Sequence, residues 1–201
     1  MSAQVSYSHR FHVYAQQRIY RLTDDALIWE DEDGGSGRLA YADITRVHLA
    51  YRPSRAQPDR FLATIASRSG ERVRISNTSY RGFNDFIVQD AEYSSFLKAL
   101  HARLSEGGYE VSFRKGSGFI GFSLNLVLTI VITGGLAALA VYMLWGGYYG
   151  LAAAKLLIVA WYMPVLFRFM KRSVPVRYTP DAIPDDGLPW AGRSMEAKRA
   201  G

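Results

Sequence analysis

The 201 residues contain no cysteine, which excludes disulfides and thiolate catalysis and fits a reducing compartment. Residues 1–20 hold no apolar core of the kind a cleaved signal peptide requires, so none is expected. No nucleophile elbow, zincin histidine pair or phosphate-cradling Walker loop occurs. Acidic residues are missing from two long apolar runs, Phe119 to Trp145 and Tyr148 to Phe167. At 1.5 Å per residue the first run reaches roughly 40 Å as a helix, ample for a hydrocarbon core of about 30 Å. The two are expected to form a transmembrane hairpin, 116–171, turning at Gly146-Gly147.

The second run is less clean, carrying Lys155 and Pro164. Lys155 follows an interfacial aromatic cluster, Trp145, Tyr148 and Tyr149, so its ammonium can snorkel to the headgroups. The alternative is a functional intramembrane cation, which would make the chain a small transporter or membrane enzyme. Arg103, Arg114 and Lys115 precede the first run, and Arg168, Lys171, Arg172 and Arg177 follow the second. By the positive-inside rule both termini are expected in the cytoplasm, in a multi-pass protein of the inner membrane.

The formal net charge of +6 invites a nucleic-acid reading, but 16 basic and 14 acidic residues fall within positions 1–115, so that part is nearly neutral. The excess sits mostly at the membrane flank, where topology and anionic lipid explain it at roughly 1 kcal/mol per residue. No nucleic-acid partner is expected.

Residues 10–76 alternate apolar and polar with period two. Val47, Leu49 and Tyr51 share one face of a strand while Arg46 and His48 take the other, and Arg72-Val73-Arg74-Ile75 repeats the pattern. Turn formers punctuate the run at Thr23-Asp24-Asp25, 33–37, 53–58 and Ser69-Gly70. Short strands at this spacing make an antiparallel sandwich or small barrel. From Asp90 the period changes: Tyr93, Phe96, Leu97, Leu100 and Leu104 mark one face of a helix ending at Gly107-Gly108, with Asp90 as its N-cap. Residues 1–9 are expected to be a flexible start, and Tyr109 to Phe113 a short lead to the membrane.

The stretches Tyr20 to Trp29, Tyr41 to Val47, Tyr51 to Arg55 and Tyr93 to His101 resemble uncharacterised bacterial inner-membrane proteins that carry a pleckstrin-homology-like domain. The resemblance covers roughly residues 10–115. It implies a mainly β fold, a seven-stranded, partly open barrel capped by one helix, and it supplies no catalytic residues. Phosphoinositide-binding members use basic early loops, whereas here Glu30-Asp31-Glu32-Asp33 is acidic.

The remaining motifs are modest. Gly116 to Gly121 spells G-x-G-x-x-G, but it opens a membrane run and lacks the strand and acidic residue of a dinucleotide site, so it reads as a hinge. Gly134, Gly135 and Ala138 suit close helix packing within the hairpin or between copies in a homo-oligomer. His9, His12, His48 and His101 show no converging ligand pattern, and no metal or cofactor is expected. Arg52, Arg55 and Arg60, with Arg168, Lys171 and Arg172, are candidates for contact with anionic lipid or an acidic partner. The tail, 172–201, carries four prolines spaced between 175 and 189 and is either disordered or laid along the soluble domain through Ile183, Leu188 and Trp190. The sum is a membrane-anchored, non-enzymatic interaction module with a protein partner, the alternative being handling of anionic lipid.

Overall fold

A computed structural model describes residues 5–54, 56–83, 85–116, 119–184 and 187–189; at 119–125, 162 and 165–173 it describes backbone alone. Arg55 and Trp190 lie outside the described residues. The chain divides into two units, 1–116 with 176–201, and 117–175.

The first unit is mostly β. Strands β1 (Ser6–Arg10), β2 (Gln17–Leu22), β3 (Ala26–Asp31) and β4 (Ser36–Ala40) form an antiparallel meander. Residues 6–9, expected to be flexible, are thus a paired edge strand, with Tyr7 opposite Tyr20 and buried. Gly37 faces Trp29 across β3 and β4, where any Cβ would overlap the indole, so only glycine fits. After a 3-10 turn at Tyr41–Asp43 come β5 (Ile44–Tyr51), β6 (Phe61–Ser67) and β7 (Arg72–Ser76), then a separate hairpin, β8 (Thr78–Gly82) and β9 (Asp85–Val88).

Helix α1 (Asp90–Glu106) places Tyr93, Phe96, Leu97, Leu100 and Leu104 in the core at 0–1% exposure. Burial of each contributes about 1.5–3 kcal/mol, and the helical period is satisfied on one face. The N-cap is Gln89 rather than Asp90, whose side chain turns inward. Asp90 accepts a 2.7 Å bond from Asn77 Nδ2, while Asn77 Oδ1 accepts from the Phe61 N–H at 2.7 Å and Nδ2 also reaches the Asp59 carbonyl at 3.1 Å. This buried amide ties the β5–β6 loop, the end of β7 and the start of α1 together.

The expected lead to the membrane is a strand. β10 (Ser112–Lys115) adds to β5 in parallel, Phe113 opposite Val47. The first residues of the tail pair beside it as β11 (Val176–Arg177), completing a mixed sheet of order β11-β10-β5-β6-β7. Arg114 lies opposite Arg177 and Lys115 opposite Val176. Of the two fates considered for the tail, residues 176–184 and 187–189 take the docked one. Tyr178 stacks on His101 at 5.8 Å, Leu188 is buried, Ile183 packs on the core, and Ser94 donates to the Pro189 carbonyl. Among the described residues, eleven short strands in three sheets therefore stand where seven were expected, because edge pairings of two to five residues carry too little periodicity to read in sequence.

The second unit holds α2 (Phe119–Trp145) and α3 (Tyr149–Ser173), the latter running past the expected end at Phe167. Gly147, at φ 78°, ends α2, with Tyr148 N–H bonded to the Met143 carbonyl as in a left-handed helix cap. Among the described residues one helical stretch, Leu126–Trp145, is long and apolar enough to cross a membrane; the apolar part of α3 is the shorter Tyr149–Trp161. The helices touch, and Ala140 and Ala152 are the small residues buried. Gly134 and Gly135 meet nothing within 4 Å where a Cβ would stand, and Ala138 is exposed, so the close packing expected there lies nearer the turn instead.

Candidate functional site

Polar side chains gather where the β1–β2 loop meets the end of the meander. A recess of about 630 Å³ is lined by His9, Phe11, His12, Arg18, Arg72 and Arg74, with Tyr20 and Asp31 in its wall. Alternation explains the two outer cations: Val73 and Ile75 go into the core, so Arg72 and Arg74 point outward. Tyr20 links the sheets by donating to the Arg74 carbonyl at 3.1 Å.

Arg18 is already engaged. It grips Asp31 with Nε and Nη2, the latter at 2.8 Å, and lies over the Trp29 ring. That hydrogen bonding holds the Asp31 carboxyl below its ordinary range. Glu30 likewise meets Arg21. The acidic run at 30–33 is therefore partly neutralised by its own sheet, and Arg72 and Arg74 leave the recess positive.

His9 is 3% exposed, yet neither ring nitrogen has a hydrogen-bond partner. Burial, aided by the nearby Arg18 and Arg60 guanidinium groups, lowers its pKa to about 4. The ring is neutral at pH 7, with one donor and one acceptor unspent beside the recess. The rings of Tyr7, Phe11 and Tyr20 surround this histidine, which lies in the segment expected to be a flexible start.

The other imidazoles are satisfied. His101 Nδ1 meets the Leu97 carbonyl at 2.7 Å, so that nitrogen carries the proton and Nε2 accepts from Tyr178 O–H at 2.9 Å. Burial holds its pKa near 4. His48 Nε2–H donates to the Gly116 carbonyl at 2.7 Å, fixing the point where the chain leaves the sheet.

Of the basic residues singled out from sequence, Arg52 and Arg60 are described with their side chains. Arg52 is exposed, with its backbone N–H bonded to the Arg60 carbonyl. Arg60 is half-buried over the Phe11 ring at 4.5 Å, and burial lowers its pKa. Arg55 and the side chains of Arg168, Lys171 and Arg172 are outside the described residues. Lys155 is partly covered on α3.

No protein-family model matches the chain, nor does any curated protein. A solved structure described as that of the Spt16D Pob3N heterodimer is similar at 15% identity and a TM-score of 0.37. The match covers 59% of this chain and 58% of that one, so less than two thirds of the solved chain is spanned.

Proposed function

We propose that the chain is a non-catalytic recognition module held at the cytoplasmic face of a bacterial inner membrane, with the first unit, a pleckstrin-homology-like barrel, docking a protein partner. The observation that carries this reading is the pairing of Lys115 with Val176. The chain departs towards α2 and returns from α3 through neighbouring strands of one sheet, which supports a reading in which the helices cross a bilayer an even number of times. With α2 apolar enough to span, a two-pass hairpin satisfies that requirement. Arg114 and Lys115 on one side and Arg168, Lys171, Arg172 and Arg177 on the other then flank the same face.

The recess beside β7 is the place on the barrel suited to an acidic group of the partner. Arg72 and Arg74 are exposed and form no part of the core, so their charge reverses without unfolding the unit. Arg72→Glu with Arg74→Glu should cut recovery of the partner from mild-detergent extracts at least tenfold while leaving the melting temperature unchanged. Equal recovery contradicts the recess as docking site, and a wild-type extract yielding this chain alone contradicts the docking reading.

Handling of anionic lipid is the second reading, and the exposed aromatic side chains of Tyr14 and Phe83 on two loops of the first unit favour it. The transporter or membrane-enzyme reading rests on Lys155 alone, and snorkelling accounts for that residue.

A further inference from the structure

Two aromatic side chains on neighbouring loop tips are almost wholly exposed: Tyr14 at 91% on the β1–β2 loop and Phe83 at 99% on the β8–β9 turn. Val13 beside Tyr14 is 47% exposed. Single exposed apolar residues need no explanation, but these belong to a loop that is braced. Arg10 Nε donates to the Ala15 carbonyl at 2.7 Å and Nη2 to the Val13 carbonyl at 2.9 Å, while the same guanidinium lies 5.7 Å from the Tyr80 ring of β8. The Arg10 N–H also donates to Ser79 Oγ at 3.0 Å. One arginine thus locks the loop into shape and holds it against the hairpin that carries Phe83.

Their place on the first unit identifies the occupant. Phe11, at the root of the loop, lies under Arg60, and the Arg60 carbonyl is bonded to Arg52 at the end of β5. Gly116, where the chain leaves for α2, is bonded to Leu49 of that same strand end. Only residues 117 and 118 separate it in sequence from the start of α2. Arg81 is exposed two residues before Phe83, Arg52 is exposed beside Arg60, and Asp85 is the one carboxylate on the hairpin. Aromatic tips among cations match the interfacial layer of an anionic bilayer, where aromatic rings partition and guanidinium groups meet phosphate.

We propose that Val13, Tyr14 and Phe83 insert into the headgroup region of the membrane that α2 crosses. The proposal rests on the membrane reading of α2 given above. Because the chain has no cysteine, Tyr14→Cys, Phe83→Cys and the exposed turn control Ser69→Cys each give a single nitroxide site on the full-length protein. In vesicles of phosphatidylglycerol and phosphatidylethanolamine, sites 14 and 83 should show several-fold higher accessibility to oxygen, relative to a water-soluble nickel chelate, than site 69. Equal ratios at all three sites overturn the proposal. Spin–spin broadening between copies at site 83 without this change in depth would assign the tips to a second copy and overturn it equally. Extraction of the protein by alkaline carbonate would instead remove the membrane reading itself, so the two failures are distinguishable.

Discussion

Lowering the pH from 6.5 towards 4 should strip the first unit of up to about 6 kcal/mol of stability. His9 and His101 are both held near pKa 4 by burial, against an ordinary value of 6.5. Each shift corresponds to roughly 3 kcal/mol. The unfolded chain takes up protons first as the pH falls, so it binds more of them than the fold throughout this window. Stability is therefore complete above pH 6.5 and declines until the native pKa is reached. Protonating His101 also opposes its bond from the Tyr178 hydroxyl, because a charged ring offers no acceptor. Thermal unfolding of the detergent-solubilised protein at half-unit pH steps measures the slope. His9→Leu, among the rings of Tyr7, Phe11 and Tyr20, should remove about half of it. A midpoint flat between pH 7 and 5 contradicts the assignment.

Asn77→Ala should destabilise the same unit by about 3–4 kcal/mol. Three hydrogen bonds converge on this fully buried amide, at about 1 kcal/mol each and more for the one to the Asp90 carboxylate. The amide is also irreplaceable by its nearest isostere. Asn77→Asp keeps an acceptor for the Phe61 N–H but sets a second carboxylate against Asp90, so it should fall as far as alanine near neutral pH. For a unit of this size the expected drop in melting temperature is on the order of 10 °C. A drop under about 3 °C would show that the loop, β7 and α1 are held together by apolar packing alone.

What the sequence disclosed and what it concealed divide along physical lines. The apolar part of the buried face of α1 was legible, because a 3.6-residue period repeats over five apolar positions, whereas the buried Asp90, Ser94 and His101 were not read there. The strands of the meander and β5 to β7 were legible as a class, through alternation and turn formers. Strand β10, by contrast, is four residues ending in Arg114-Lys115, with nothing to separate it from a linker; its partner β5 supplies the hydrogen bonds. β11 is shorter still and exists because β10 offers an edge. The site suffered most. Arg72 and Arg74 were visible as outward residues, but their meeting with His9 arises from one sheet crossing another, a relation that no local pattern encodes. Gly134 and Gly135 illustrate the converse, a suggestive composition whose close contact forms elsewhere, at Ala140 and Ala152.

The claim on which the rest depends is that α2 and α3 cross the membrane as a pair and return the chain to the side it left. Single cysteines at Ser69 in the β6–β7 turn, at Asp181 in the docked tail and at Tyr148 beside the interhelical turn report on it directly, each in the full-length protein within oriented inner-membrane vesicles. With a membrane-impermeant maleimide, Ser69→Cys and Asp181→Cys should react in inside-out vesicles and be protected in right-side-out ones, and Tyr148→Cys should behave oppositely. Reaction of all three from one side, or of Ser69→Cys and Asp181→Cys from different sides, would contradict the account.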